Sequence, residues 1–190
     1  MLRLLALAFW QDREFLAAAR AVRDWIRVEK NRPAPYRFAS RIYEDQGAFS
    51  LAEESAAKVT RLTPRDASGW ERLGRVRLRR GNADGARKAF ERGQRVEPSV
   101  DGLLDLALAH QLLGDVGGEV SACEAATRLD PESPTAWSRY AHALARTDRR
   151  VDCLAACDRA LALGDDPEVR DLAERVRAAE PRVLQERSAA

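Results

Sequence analysis

The residues best able to do chemistry here are His110, His142, Cys123, Cys153 and Cys157, among 190 residues. Neither histidine has a neighbour at the spacing of a zinc or iron site. Cys153 and Cys157 share a helix face at i, i+4, which makes two metal ligands only if others arrive from elsewhere, and which disfavours a mutual disulfide. They read as buried structural thiols. The run from Gly114 to Gly118 lacks the Lys-Ser/Thr ending and the preceding strand of a phosphate loop, so it reads as a turn. Acids are plentiful, but on solvated helices close carboxylates are commonplace, and no acid–base pair stands out. No catalytic residue, cofactor or metal is assigned, and the chain is expected not to be an enzyme.

Charge narrows the partners. Lys plus Arg is 32 against 30 Asp plus Glu, a net charge of +2, which gives no general drive toward nucleic acid or an anionic membrane. The basic cluster Arg72, Arg75, Arg77, Arg79 and Arg80 has phosphate-gripping chemistry, but no aromatics interleave it and its members scatter around a helix. A solvated helix with some groove-facing arginines is the plainer reading, and nucleic acid is disfavoured. Three cysteines without paired spacing fit a reducing cytoplasm, the expected location, in a bacterium. Ala6-Leu7-Ala8 mimics a signal-peptidase site, but the apolar stretch before it is short and carries Arg3, so a buried first helix is expected. No stretch approaches the roughly 18 to 20 apolar residues of a membrane span.

The elements that must position these residues show in an internal period. Large residues open successive segments at Tyr36, Trp70, Leu103 and Trp137, spaced by 34, 33 and 34. Turn-type residues follow in step at Gly47, Gly81, Gly114 and Asp148. Small residues Ala52, Ala86 and Cys153 keep the register, with Glu119 as the exception, as does the column Ala56, Phe90, Cys123 and Cys157. Pro64, Pro98 and Pro131 close three segments. In the second segment Trp70, Leu73, Gly74 and Arg77 fall on one helix face. Gly81 ends that helix, a second runs from about Asp84 to Val96, and Pro98 forces the next turn.

At these positions the sequence resembles the tetratricopeptide repeat family, best in the second segment through Trp70, Leu73, Gly74, Gly81, Ala86, Phe90 and Pro98. Tyr36, Ala39, Tyr43, Gly47, Ala52 and Pro64 carry it in the first, Leu103, Leu106, Ala107, Gly114, Ala126 and Pro131 in the third, and Trp137, Tyr140, Ala141 and Ala160 in the fourth. Arg77 and His110 stand where the family has an aromatic, Glu119 where it has an alanine. The resemblance implies an all-α, right-handed superhelix of about four to five helix pairs plus a C-terminal capping helix. The expected divisions are a degenerate pair at 1–32, repeats at 33–66, 67–99, 100–133 and 134–166, a cap at 167–180 and a loose tail at 181–190. Asp166-Pro167-Glu168 starts the cap as an N-cap, a proline and a first-turn acid.

In the resembling family the first helix of each pair lines the concave side. Carried over by position, that surface presents Arg37, Arg41, Glu44 and Asp45, then Glu71, Arg75, Leu78 and Arg79. The later pairs add Leu104, Leu108, Gln111 and Leu112, then Ser138, His142 and Arg146. The resemblance therefore implies a protein-interaction adaptor or scaffold whose groove takes a protein or peptide segment with acidic and apolar residues. Alternatives are an accessory domain positioning a separate catalytic subunit, or a secretion-type chaperone for an exported protein. The leucines could instead meet a neighbouring helix, or drive homo-oligomers. One subgroup of the family grips the C-terminal carboxylate of heat-shock chaperones, but Asp101 and Asp105 stand where its third basic group belongs and would repel that carboxylate.

Overall fold

A computed structural model of the chain describes residues 1–179, and the expected tail at 181–190 lies outside them. Eleven helices and no strand occur among the described residues. They run as pairs: α1 (Leu2–Gln11) with α2 (Phe15–Val28), α3 (Pro33–Asp45) with α4 (Phe49–Leu62), and α5 (Ala67–Arg79) with α6 (Ala83–Val96). There follow α7 (Val100–Leu112) with α8 (Val116–Leu129), α9 (Pro134–Leu144) with α10 (Arg150–Leu163), and the single α11 (Pro167–Ala178). Each helix packs on its sequence neighbours, and α5, α7, α9 and α11 also touch in succession, the arrangement of an all-α solenoid.

Repeating chemistry fixes each joint. Tyr36 Oη donates to the Lys30 carbonyl at 2.9 Å, Trp70 Nε1 to the Pro64 carbonyl at 3.0 Å and Trp137 Nε1 to the Pro131 carbonyl at 2.9 Å. The column of large residues is thus one contact made three times, six residues back, tying each first helix to the turn before it. At the turn inside each pair, Gly47, Gly81 and Gly114 adopt φ of 71°, 76° and 72°. The next residue's amide then reaches back to the last helical turn, as Ala48 to Tyr43 at 2.7 Å and Asn82 to Arg77 at 2.9 Å. Arg13 holds the same left-handed conformation, φ 59°, in the first pair, where any side chain is strained. The fourth pair departs: α9 stops at Leu144, and Asp148 lies in a turn without a left-handed residue.

Small residues let paired helices close. Gly74 sits against the ring of the fully buried Phe90, and Ala52, Ala86 and Cys153 are each no more than 1% exposed. At the far end Asp166 caps α11 by accepting from the Glu168 and Val169 amides, and Val169, Leu172 and Ala173 bury against the array. Arg150 grips the end of that helix through the Arg177 and Ala179 carbonyls at 2.7 and 2.8 Å. At the near end Ala6 is buried, whereas Leu4 and Leu5 of α1 face outward at 68% and 45% exposure. No helix among the described residues is long and apolar enough to cross a membrane.

Candidate functional site

The expected groove positions lie on the first helices α3, α5, α7 and α9, with Arg146 just past the end of α9, and the arginines among them are mostly paired. Arg37 pairs with Asp66 and donates to Ser68 Oγ at 3.0 Å, which ties α3 to the start of α5. Arg75 donates to Asp105 at 2.6 Å across to α7 and lies 3.8 Å from Glu71. Burial is the largest single influence and works against its charge, but the Asp105 hydrogen bond together with the negative charges of Asp105, Glu71 and Asp101 outweighs it and holds the guanidinium above its ordinary value. Arg72 pairs with Glu44, and Arg79 approaches the same carboxylate at 3.6 Å. Burial lowers the Arg72 value, with the like charge of Arg41 adding to the effect.

The basic cluster is paired in the same way. Arg77 donates to Glu53 and to the Gly85 carbonyl, both at 2.9 Å, and Arg80 pairs with Glu53 as well. Burial alone would raise the Glu53 carboxyl, but the two arginines hold it below the usual range. All five members therefore link α5 or its C-cap to α3, α4, α6 or α7, and Arg75, Arg79 and Arg80 remain exposed as they do so. Arg77, where the family has an aromatic, staples three helices by hydrogen bonds instead of ring packing.

Other inner-face positions also join neighbouring units. Ser99 Oγ donates to Glu71 at 2.6 Å, and Ser138 Oγ donates to Asp166 at 3.2 Å, so Glu71 of α5 and Ser138 of α9 each bond the N-cap residue of the helix that opens the next unit, α7 and α11. Trp10 Nε1 donates to Asp45 at 2.6 Å. Arg146 pairs with Glu119, the acid in the alanine column. Glu119 is buried, and burial raises its carboxyl above the ordinary value despite Arg146. Leu78 and Leu104 pack against core clusters, Leu108 is half-buried, and Leu112 is 61% exposed beside the exposed Gln111. His142 contacts the Ser138 carbonyl at 3.0 Å through Nδ1, within its own helix. His110 pairs with Asp115 at 2.8 Å, a link from the end of α7 to the start of α8.

Residues of α1 to α5 enclose a cavity of about 610 Å³, inside the roughly 300 to 1,000 Å³ range of ligand pockets. Leu7, Trp25, Phe38 and Val59 supply its apolar walls, and Arg3, Arg37, Arg41, Arg72 and Arg75 line it with Glu71 as the one acid. Trp10, Phe38 and Trp25 stack edge to face or tilted, with centroids 5.7 and 6.4 Å apart, and so brace α1 and α2 against α3. A second recess of about 300 Å³ adjoins it, sharing Arg41 and Arg72 and including Glu44, Asp45 and Arg79. Sequence reasoning missed Arg3, Leu7, Trp25, Phe38 and Arg72 as members of the site. Trp25 carried a signal, because it stands 34 residues before Val59 in a column that ends each second helix.

The three cysteines are buried and free, and burial pushes the Cys123 and Cys157 thiols up to about 12. Among the described residues no three His, Cys, Asp or Glu side chains gather to hold a metal ion.

Comparison with curated protein sequences finds no match. Among solved structures the fold is shared by MamA residues 41 to the end from Desulfovibrio magneticus RS-1, 21% identical, TM-score 0.74, covering 85% of this chain and 92% of that one. YrrB, described as a tetratricopeptide protein with an unusual peptide-binding site, is 16% identical with TM-score 0.73, covering 90% and 88%. A thermophilic tetratricopeptide protein of Thermus thermophilus is 21% identical with TM-score 0.58, covering 94% and 96%. The tetratricopeptide repeat model matches residues 39–99 and 71–134, together half of the chain. With its repeated columns, paired helices and this match, the chain belongs to the tetratricopeptide repeat family.

Proposed function

We propose that this protein is an adaptor or scaffold whose concave face holds a protein or peptide segment carrying acidic beside apolar residues. One observation carries the reading: the inner face holds an arginine-lined cavity with aromatic and aliphatic walls, while the reactive groups elsewhere are buried or paired. Such a surface offers charge to carboxylates and apolar walls to an apolar side chain, the two components of segment recognition by a helical groove. The peptide-binding site described for the structurally similar YrrB supports the same reading. Of the inner-face positions, Arg41, Leu108, Gln111 and Leu112 have the weakest structural commitments and are the contact residues we propose. Arg37, Glu71, Arg75 and Ser138 shape the groove through the links they already make.

Affinity capture from native extract tests this. A definite protein should be retained by the wild type and by the second-helix variants Arg92→Glu and Arg128→Glu, and lost with Arg41→Glu combined with Leu108→Asp. Retention by all four proteins would place binding off the groove.

A further inference from the structure

The cavity is more specific than the groove at large. Resting on the groove reading above, we propose that it is an anchor subsite for one leucine or aromatic side chain of a peptide, with an adjacent carboxylate received by Arg3 and Arg41.

Three observations lead there. Of the five arginines lining the cavity, three are discharged by the array itself: Arg37 by Asp66, Arg72 by Glu44 and Arg75 by Asp105. Those three carboxylates stand outside the lining, so they neutralise its charge without filling its volume. Arg3 and Arg41 make no ion pair among the described residues, and both are exposed at the cavity. An arriving carboxylate therefore meets two cations that have no competing partner to give up, and displaces no internal bridge.

The walls select the companion group. Leu7, Trp25, Phe38 and Val59 come from four successive helices, and the volume of about 610 Å³ exceeds what one leucine or phenyl ring needs, leaving room for the flanking backbone. The aromatic brace of Trp10, Phe38 and Trp25 holds the recess open before a ligand arrives, which reduces the ordering cost of binding.

Finally, α1 and α2 acquire a role. They precede residue 39, where the family match starts, and they lack its motif, yet they supply Arg3, Leu7 and Trp25. The degenerate pair is thereby the element that sets what the groove accepts at this end.

The test uses the full chain and fluorescein-labelled decapeptides read by anisotropy. A central Leu, Phe or Ala is flanked on both sides by Asp, Ser or Lys in an otherwise Ser-Gly background. Asp-flanked Leu or Phe peptides should bind at least about tenfold more tightly than their Ala-centred or Ser-flanked counterparts, with Lys-flanked peptides weakest. Arg3→Glu and Arg41→Glu, both at exposed positions, should each weaken the best peptide by about tenfold, and Arg92→Glu and Arg128→Glu on the second helices should leave it unchanged. If Leu108→Ser with Leu112→Ser abolishes binding and Arg3→Glu and Arg41→Glu do not, the groove reading stands and the anchor subsite is overturned. Equal affinity across the peptide set, or across all variants, overturns both. Full displacement of the peptide by millimolar inorganic phosphate would reassign the cavity to a small anion and overturn the peptide anchor.

Discussion

Replacing Gly74 by alanine should destabilise the array, whereas the same change at Gly93 should not. Both glycines are buried inside helices, and in each the alanine gains about 1 kcal/mol of intrinsic helix propensity. What differs is the space. A Cβ on Gly74 would lie 2.4, 2.6 and 2.7 Å from three atoms of the Phe90 ring, and Phe90 is 0% exposed with no room to retreat. Forcing a methyl into such a core costs about 1–3 kcal/mol, and three contacts this short argue for the upper end, leaving a net loss of about 2 kcal/mol. A Cβ on Gly93 would meet its nearest atom, Trp70 Cβ, at 3.4 Å, which is ordinary contact, so its propensity gain should survive. At roughly 2–4 °C per kcal/mol for a chain of this size, G74A should lower the midpoint by about 4–8 °C and G93A should hold or raise it. Far-UV circular dichroism on heating reads both. G74A/F90L, in which the ring is replaced by a smaller side chain, should recover part of the loss, a coupling expected of residues in contact. G74A as stable as the wild type would refute the claim that the Gly74–Phe90 approach sets the spacing of α5 and α6.

Arg13→Gly should stabilise the first pair by about 1 kcal/mol, because it relieves the only left-handed non-glycine residue among those described; the same thermal scan checks it. Glu119 has a folded value above its ordinary 4.5, so its contribution is present while it is protonated and is lost as pH rises through that folded value. E119Q does not titrate there and should lose less stability than the wild type between acid and neutral pH, measured by urea denaturation across that range. Cys123, Cys153 and Cys157 should react with a disulfide reagent far more slowly in the folded chain than in urea, since burial holds their thiols protonated.

The fold was legible because its columns are local. Tyr36, Trp70 and Trp137 each bond six residues back, and Gly47, Gly81 and Gly114 each end the helix before them, so one period in the sequence is one contact in space. Leu5 falls among the apolar residues of α1 but faces out beside the buried Ala6, because a short run that is apolar all round does not say which side packs. The groove was less legible for a different reason. The partners of Arg72, Arg75 and Arg77 lie 28, 30 and 24 residues away on neighbouring helices, and composition cannot tell a free arginine from a paired one. Arg3 and Leu7 sit in a pair without the family motif, and only the stacking of α1 beside α3 brings them to the same cavity as Arg41. Glu119 interrupts the alanine column, and the long arm of Arg146 is what accommodates it.

Hydrogen exchange with and without the captured partner tests the central claim most directly, because it reads every helix at once. Protection should concentrate on α1, α3, α5 and α7, whose inner faces carry Arg3, Arg41, the cavity and the leucine strip. Protection confined to α4, α6, α8 and α10, with those inner helices unchanged, would contradict it.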